Sequence, residues 1–402
     1  MIHIAVLGYG IVGSGVVQVL DKNSGRISQN AGQEIKIKYI LDIREFDDCP
    51  YKSLFAKDFE TIVNDPEIAV VVEAIGGIGA ALEYTRRSLE AGKSVVTSNK
   101  ELVAEYGSEL LKLAMEKEVN YLFEASVGGG VPVIRPLAQC MTANIINEIY
   151  GILNGTTNYI LTDMEKNGTD FSEALHEAQK KGYAESDPTA DIEGHDACRK
   201  ICILSSLAYG RHIFPRQVLT EGISGVTLKD IHYAAKLGYA IKLLGRSRAI
   251  NDKVSVYVAP HLVSKHSLLA VIDGVMNAVV IRGNAVGNVV FCGAGAGKLP
   301  TASAVIADVI DAVKHLHARR WISWDECDAG LVVDSTLLDS AWYIRTDATR
   351  SKVEKEFGSV IFAGGTGNEA AFITGVMNGT MVGDLLSRGI TVQSRFRVLG
   401  DY

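Results

Sequence analysis

The chain has 402 residues, of which 47% are hydrophobic and only 8 are proline, a composition typical of a globular protein with two or three domains. A formal net charge of -7 argues against nucleic acid or an anionic membrane as the main partner. No apolar run reaches the length of a membrane span, and the 6 cysteines show no metal-ligand spacing, so we expect a reducing, cytoplasmic setting.

The N-terminal segment is typical of a dinucleotide site. A short buried strand over Ile2–Leu7 is followed at once by a GxGxxG pattern, which opens a helix over Val12–Leu20. In this context the first glycine allows a tight turn, the second admits a pyrophosphate, and the third lets helix and strand pack closely. A glycine-rich structural turn is the alternative. The predicted cofactor contacts are Gly8, Tyr9, Gly10, Ile11, Val12 and Gly13.

The end of the second strand bears on the choice of cofactor. After a polar linker from Asp21 to Glu34, a strand over Ile35–Leu41 ends in Asp42-Ile43-Arg44. An acidic residue at this position favours the free 2′-hydroxyl of NAD, whereas an arginine favours the 2′-phosphate of NADP. Because both residues are present, the sequence leaves NAD and NADP open.

Two more buried strands continue the alternation of strand and helix. Ile68–Ile75 ends in Gly76-Gly77, and Ser94–Thr97 ends in Ser98-Asn99-Lys100. Ligands of doubly wound sheets bind at the carboxyl ends of the strands. We therefore expect Ile75, Gly76 and Lys100 beside the cofactor, with the ammonium group of Lys100 near the nicotinamide.

Three later turns are rich in glycine or in amides. The carbonyl groups of Glu124–Pro132 offer oxygen donors that suit a hard monovalent cation, with a plain structural turn as the alternative. Asn154–Asn158 links a strand to a helix, and its amides and hydroxyls suit a substrate carboxylate. Gly293–Gly297 precedes a helix over Ser303–Leu316, which predicts a return to the nucleotide domain.

The segment Gly182–Lys200 concentrates carboxylates just before an apolar helix. Asp196 and Lys200 are four residues apart where helical periodicity begins, so both lie on one helix face and the carboxylate can hold the ammonium group. Glu185 and Asp191 precede them in a loop that can fold back over that face. Two interpretations remain: a site that binds an ammonium group and moves a proton, or a charged surface loop with a helix salt bridge.

In order and spacing, these motifs resemble homoserine dehydrogenase over about the first 320 residues. The matching segments are Gly8–Gly13, Thr97–Lys100, Glu124–Pro132, Asn154–Asn158, Gly182–Lys200 and Gly293–Ala302. The resemblance implies an α/β fold with a Rossmann doubly wound nucleotide domain over 1–131. It further implies an α+β catalytic and dimerisation domain over 132–292, a return to the nucleotide domain over 293–320, and a homodimer or homotetramer.

The resemblance also implies an activity, the reversible NAD(P)-dependent reduction of L-aspartate 4-semialdehyde to L-homoserine on the way to threonine and methionine. By position, Lys200 is the proton donor, Lys100 assists beside the nicotinamide, and Asp196 orients Lys200. The implied substrate contacts are Glu185 for the ammonium group, then Asp191, Tyr183, Gly155 and Thr156. Gly297 joins the cofactor contacts, and a Na⁺ site falls on Glu124, Val127, Gly129 and Val131, mostly through backbone carbonyl groups.

Two other functions fit parts of the pattern. A related amino-acid dehydrogenase, such as one acting on aspartate, shares the nucleotide motif, but Lys100 and the Asp196–Lys200 pair argue against it. A non-catalytic nucleotide sensor would leave both lysines without a role.

Residues 335–402 are predicted as a small ferredoxin-like βαββαβ tail that resembles the ACT regulatory domain. The predicted elements are Ser340–Thr346, Thr349–Phe357, Ser359–Gly364, Ala370–Val376, Met381–Arg388 and Ile390–Leu399. The Asp-x-Pro-Gly turn usual after the first strand is absent, so we expect threonine to bind weakly or not at all. Instead we expect Ile390–Leu399 to be an edge strand that pairs subunits, and deletion from about Leu337 to leave a smaller, active oligomer.

Overall fold

The computed structural model describes residues 1–318, 322–327, 330–365 and 367–400. The predicted return over 293–320 and the predicted tail over 335–402 therefore each include a few residues outside the described part. None of the helices in these ranges combines the length and the apolar character needed to cross a membrane.

The N-terminal part of the chain forms a sheet of five parallel strands. These are β1 (Ile2–Leu7), β2 (Ile35–Leu41), β3 (Ile68–Glu73), β4 (Ser94–Thr97) and β5 (Tyr121–Leu122). The associated helices are α1 (Ile11–Lys22), α2 (Ser24–Ala31), α3 (Phe59–Val63), α4 (Gly79–Glu90) and α5 (Lys100–Glu116). The strand order is β2-β1-β3-β4-β5, so the winding reverses between β1 and β3. A ligand crevice is expected at such a reversal.

The middle of the chain supplies most of a second, mixed sheet. Its strands here are β6 (Ile146–Ile152), β7 (Leu219–Thr220), β8 (Tyr239–Ile250), β9 (Lys253–Ser264), β10 (Met276–Gly283) and β11 (Gly287–Ala294). The helices are α6 (Gly155–Asn167), α7 (Phe171–Lys180), α8 (Thr189–Ile192), α9 (His195–Tyr209) and α10 (Leu228–Lys236). The apolar helix α9 packs against β6, β8 and β9 and also against α5, so it lies between the two sheets.

The chain then returns to the first sheet through α11 (Lys298–Lys314). This helix packs against α1, β3 and β4, and its residues Ala302, Val305 and Val309 share a buried cluster with Ile4 and Val6. The alternate residues Ala5 and Leu7 belong to another buried cluster, so apolar side chains cover both faces of the parallel strands, as continuous hydrophobic strands require.

The tail adds β12 (Asp339–Ser340), β13 (Trp342–Thr346), α12 (Arg350–Phe357), β14 (Ile361–Gly364), β15 (Ala370–Ile373), β16 (Met377–Asn378), α13 (Gly379–Leu386) and β17 (Val392–Val398). Apart from the short β12–β16 pair, its strands lie in the antiparallel order β17-β13-β15-β14, which is a ferredoxin-like arrangement. The strand predicted over Ala370–Val376 is shorter than expected, because β15 ends at Ile373.

The expectation that Ile390–Leu399 is an edge strand is wrong. β17 lies between β13 and β9, and its residues Arg397 and Val398 pair in parallel with His261 and Leu262. The tail thus extends the second sheet to ten strands. An alternating pattern identifies a strand but says nothing of its neighbours, which is why the sequence did not show this pairing.

The polar segment from Asp21 to Glu34 contains a helix, α2, which the sequence did not predict. Only Ile27 and Ala31 are buried in this helix, and they lie four residues apart on one face. Two apolar residues in an otherwise polar segment are too few to show helical periodicity.

Candidate active site

Two charged residues near the start of α9 form an ion pair. Lys200 Nζ lies 2.6 Å from Asp196 Oδ2 and donates a 2.8 Å hydrogen bond to the carbonyl oxygen of Leu153. The Lys200 side chain is only 9% exposed. The four-residue spacing predicted from the sequence is therefore present as a buried pair on one helix face.

A second lysine shares the same carboxylate. Lys100 is the first residue of α5, and its ammonium group contacts the other oxygen of Asp196. With 42% of its side chain exposed, Lys100 is much more accessible than Lys200. Asp196 therefore lies between two ammonium groups, each facing one of its oxygens.

The environments of the two lysines shift their proton affinities in opposite directions. Burial lowers the pKa of Lys200, as does the charge of Lys100, and Asp196 only partly opposes this. Burial also acts to lower the pKa of Lys100, but the charges of Asp196 and Asp191 outweigh it and raise that pKa. Burial likewise opposes ionisation of Asp196, yet the two lysines hold its pKa below the usual range. Lys200 is therefore the group that more easily gives up a proton.

Asn154, which the sequence placed in a turn suited to a substrate carboxylate, instead contacts two carboxylates of the site itself. Its Nδ2 donates to Asp191 Oδ1 at 2.7 Å and to Asp196 Oδ2 at 2.9 Å, while its Oδ1 caps α6 by accepting from Thr157 N at 2.8 Å. One side chain thus holds both carboxylates. The sequence signal was its position just before a helix, where asparagine is a favoured cap.

These groups line a cavity of about 780 Å³ between the two sheets. The predicted site residues that line it are Ile11, Val12, Lys100, Gly129, Gly155, Thr156, Tyr183, Glu185, Asp191, Asp196, Lys200 and Gly297. The predicted residues outside its lining are Gly8, Tyr9, Gly10, Gly13, Arg44, Ile75, Gly76, Glu124, Val127 and Val131. Arg199, which pairs with Glu101 of α5 at 2.9 Å, lines the cavity without having been predicted.

The loop between β1 and α1 packs closely against the protein's own backbone at two of its glycines. Gly8 has a φ of +92°, and a Cβ there would lie 2.5 Å from the Ala74 carbonyl oxygen. A Cβ on Gly13 would lie 1.8 Å from the Gly8 carbonyl oxygen. No side chain caps the first turn of α1, and that turn carries no acidic residue. Its backbone N–H groups therefore suit a phosphate, and the loop fits a dinucleotide.

The acid and the arginine after β2 are bonded to each other. Arg44 donates to both oxygens of Asp42, at 3.0 Å and 2.9 Å, and Tyr9 N donates to Asp42 Oδ2 at 2.6 Å. The hydrogen bond from Arg44, against the effect of burial, lowers the pKa of Asp42 to about 2. The Tyr9 ring packs edge-on against Phe46 and Phe55. Asp42 is therefore an ionised acceptor beside the glycine loop.

The turn after β3 lies beside this loop. Ala74 N donates to the Leu7 carbonyl oxygen at 2.8 Å, which joins the turn to β1. Ile75 is 40% exposed and Gly76 has a φ of +85°, so the turn presents an accessible side chain and an open backbone at the reversal between β1 and β3.

In the loop predicted to bind a cation, the one carboxylate is bonded to backbone N–H groups of the protein itself. Glu124 accepts hydrogen bonds from the backbone N–H groups of Val133 at 2.7 Å, Ile134 at 2.9 Å and Arg135 at 2.7 Å. Within the described ranges, no group of three or more His, Cys, Asp and Glu side chains is placed to hold a metal ion. Any cation in this loop would therefore have to be bound by backbone carbonyl groups.

Comparisons with known proteins agree with this geometry. A family model for homoserine dehydrogenase matches residues 132–310, and a model for the homoserine dehydrogenase NAD-binding domain matches residues 8–124. A homoserine dehydrogenase from Neisseria gonorrhoeae is 46% identical over 320 residues, covering 79% of this chain and 73% of the relative. The chain belongs to the homoserine dehydrogenase family.

Solved structures of homoserine dehydrogenases are also similar to this chain. One from Thiobacillus denitrificans is 37% identical with a TM-score of 0.91, covering 99% of this chain and 98% of its own. A hyperthermophilic archaeal homoserine dehydrogenase in complex with NADPH is 29% identical with a TM-score of 0.66, covering 77% of this chain and 97% of its own.

Family membership establishes the activity. The chain is an NAD(P)-dependent oxidoreductase that reversibly reduces L-aspartate 4-semialdehyde to L-homoserine. The expectation drawn from its motifs is confirmed, and neither a nucleotide sensor nor another amino-acid dehydrogenase is favoured.

Proposed function

We propose that Lys200 is the general acid and base of this reaction. An ammonium group has three N–H donors, and Asp196 and the Leu153 carbonyl group accept two of them. The third remains for the substrate oxygen in the cavity that Lys200 lines. A bound nicotinamide cofactor would supply the hydride that the aldehyde carbon accepts. As the carbonyl oxygen gains negative charge, Lys200 stabilises it and transfers a proton to it.

Lys100 acts as a fixed positive charge in the same site. Its pKa is raised by Asp196 and Asp191 in spite of burial, so it stays protonated while Lys200 exchanges its proton. Two groups of one type with pKa values pushed apart can take separate roles in one reaction. Asp196 positions both ammonium groups and keeps their combined charge partly neutralised.

The amino-acid end of the substrate lies against two carboxylates that line the cavity. Glu185 pairs with the substrate ammonium group, and Asp191, held by Asn154, supports it. Gly155 and Thr156 line the wall at the start of α6, where Thr156 Oγ1 donates to the Tyr183 carbonyl oxygen at 2.6 Å. This bond fixes Tyr183 and the loop that carries Glu185 against α6.

The glycine loop and the first turn of α1 hold the dinucleotide phosphates, as the uncapped first turn without an acidic residue supports. Ile75 and Gly76 approach from the turn after β3, and Gly297 from the start of α11. Asp42 accepts from a ribose hydroxyl in NAD, and Arg44 pairs with the 2′-phosphate in NADP. The wild type therefore accepts both cofactors.

A monovalent cation such as Na⁺ fits the turn from Glu124 to Val131. In the proposed site the backbone carbonyl groups of Glu124, Val127, Gly129 and Val131 supply the oxygens, and the positive φ angles of Gly128 and Gly129, +73° and +53°, reverse the chain between them. We propose these oxygens as its ligands, because the Glu124 carboxylate is occupied by backbone amides.

We also infer that the chain assembles as a homodimer or homotetramer. Among the described residues of its middle part, Ile145, Leu268 and Val271 leave 68%, 66% and 65% of their surfaces exposed. Exposed large apolar side chains are favourable in a subunit interface.

The role of Lys200 is tested by Lys200→Ala, assayed for homoserine oxidation with NAD and with NADP. We expect kcat to fall about a hundredfold or more, because general acid–base help typically contributes factors of 10² to 10⁴. Circular dichroism and dinucleotide binding should be unchanged. Lys180→Ala, which removes an exposed lysine of α7, is the matched control and should keep normal turnover. Near-normal turnover in a folded Lys200→Ala enzyme would contradict the assignment.

A further inference from the structure

The carboxylate of Glu73 is buried near the site and has no part in the chemistry proposed above. Glu73 is the last residue of β3, and its side chain is fully buried among strands whose residues Val70, Val71 and Val72 are fully buried too. An ionised group in such surroundings is costly unless hydrogen-bond donors surround it. The hydrogen bonds that Glu73 accepts therefore indicate why a carboxylate is present at this buried position.

One oxygen of Glu73 accepts hydrogen bonds from the turn after β3, where the cofactor is proposed to bind. Glu73 Oε1 accepts from Ile75 N at 2.8 Å and from Gly76 N at 3.3 Å. The next residue, Gly77, has a φ of +67°. The carboxylate thus fixes the backbone of the turn that lies at the reversal between β1 and β3.

The other oxygen holds the start of α5. The Thr97 hydroxyl donates to Glu73 Oε2 and accepts from Asn99 N at 2.9 Å. Asn99 caps α5 by accepting from Leu102 N at 3.1 Å, and its Nδ2 donates to the Gly77 carbonyl oxygen at 2.6 Å. The network is closed, running from the carboxylate through both segments and back. Lys100 is the residue immediately after this cap.

We propose that Glu73 is a positioning residue. It fixes the position of the Lys100 ammonium group relative to the turn after β3. This inference rests on the role proposed for Lys100. A carboxylate is needed because the groups that reach it act as donors and favour its ionised form against burial: two backbone N–H groups, the Thr97 hydroxyl and the Asn99 side-chain amide. A glutamine would keep an oxygen for the turn but would direct an NH₂ group at Thr97. The hydroxyl would then lose its acceptor, and the cap before Lys100 would shift.

The test is a double-mutant cycle between Glu73→Gln and Lys100→Ala. With Lys100 present, we expect Glu73→Gln to lower kcat roughly tenfold, within the range of coupling seen for residues in one hydrogen-bond network. With Lys100 already replaced, the same change should alter kcat less than about twofold. Dinucleotide affinity should change little, because the oxygen that holds Ile75 and Gly76 is kept.

Glu148→Gln is the matched control. Glu148 is also buried, but it pairs with Arg246 in the second sheet and does not line the cavity. Glu148→Gln should change kcat by the same factor whether Lys100 is present or replaced. If Glu73→Gln fails to fold, Thr97→Val removes only the hydroxyl of the network and enters the same cycle.

If Glu73→Gln lowers kcat by the same factor with Lys100 present and with Lys100 replaced, the inference is overturned and the role of Lys100 is unaffected. Full turnover in Lys100→Ala alone would overturn the role of Lys100, and this inference with it. A loss confined to dinucleotide affinity would restrict Glu73 to the cofactor turn and would also overturn the coupling.

Discussion

At the scale of single residues, the site depends on one carboxylate shared by two lysines. Asp196 contacts Lys100 through one oxygen and Lys200 through the other. Lys200 is buried and loses its proton more easily than an ordinary lysine, whereas Lys100 is half-exposed and keeps it. The difference arises from burial and position, since the two side chains are chemically identical.

The lowered pKa of Lys200 predicts how homoserine oxidation depends on pH. Oxidation needs Lys200 neutral, so that it can accept the hydroxyl proton, and the rate should therefore rise with pH. Because the pKa is lowered, the rise should be centred below about 10.4, where a free lysine titrates. The measurement is kcat against pH for oxidation; in the direction of reduction, kcat should fall over the same range.

Two variants sharpen this prediction. Lys200→Arg should lack the rise, because a guanidinium group does not deprotonate in this range. Asp196→Asn removes the charge that stabilises the Lys200 ammonium group, so any remaining rise should move to lower pH. A rise that persists unchanged in Lys200→Arg would assign the titration to another group.

Glu185→Gln is expected to raise the KM for homoserine with a smaller effect on kcat. A hydrogen bond to a charged group contributes about 1.5–3 kcal/mol, so losing the charge should raise KM roughly tenfold or more. Glu177→Gln, which changes a partly exposed glutamate of α7 outside the cavity lining, serves as the control. Steady-state kinetics that show an unchanged KM for homoserine would exclude Glu185 as the ammonium ligand.

At the scale of elements, the site is built from helix starts. Ile11 begins α1, Lys100 begins α5, Thr156 lies in the first turn of α6 and Asp196 in the first turn of α9. Helix starts suit anions, and short caps such as Asn99 and Asn154 fix the first helical residue accurately. The reacting groups are therefore supported by backbone geometry as well as by side-chain contacts.

The sequence predicted the parts of this arrangement that are local. GxGxxG after a strand and the Asp196–Lys200 spacing each describe contacts within a few residues, and both have the expected geometry. The bonds of Asn154 to Asp191 and Asp196 cross 37 and 42 positions, and no local pattern encodes them. Glu73 escaped notice for the same reason, since its partner Thr97 belongs to the neighbouring strand.

The Asp42–Arg44 pair predicts a change in cofactor use. Arg44→Ala removes the cation for a 2′-phosphate and leaves Asp42 as an unpaired negative charge, so the KM for NADP should rise roughly tenfold or more. The KM for NAD should change much less, because a ribose hydroxyl needs only an acceptor. Arg26→Ala, at an exposed arginine of α2, is the control. Equal losses for both cofactors would show that Arg44 does not face the 2′ position.

At the scale of the whole molecule, one helix and one sheet join all parts of the chain. The helix α9, which carries Lys200, packs between the second sheet and α5. The second sheet continues through β9 into β17 and the tail. Tyr343, Phe396 and Val398 of the tail belong to the same buried cluster as Ile201 of α9. The tail therefore shares its core with the catalytic part of the chain.

A buried polar network strengthens this connection. Asp230 of α10 is fully buried and accepts from Arg345 Nε at 2.7 Å, Tyr343 Oη at 3.0 Å and Ser394 Oγ at 2.9 Å, all three from the tail. Removing the partner of a buried charge typically costs about 3–5 kcal/mol, a large part of the 5–15 kcal/mol that stabilises most domains. This changes the expectation for a chain that lacks the tail.

Deletion from Leu337 onward should destabilise the enzyme rather than leave a smaller, active oligomer of normal stability. It removes the neighbour of β9, exposes apolar residues of the shared core and leaves Asp230 without its tail partners. We expect a melting temperature lower by several degrees and aggregation, measured by calorimetry and light scattering. Among the tail residues that the structure describes, none lines the cavity, so the folded fraction should keep its kcat. In the full chain, Asp230→Ala should reproduce part of the destabilisation, whereas Asp252→Ala, at an exposed position between β8 and β9, should not. A truncated chain that melts at the wild-type temperature would show that the tail is an independent domain.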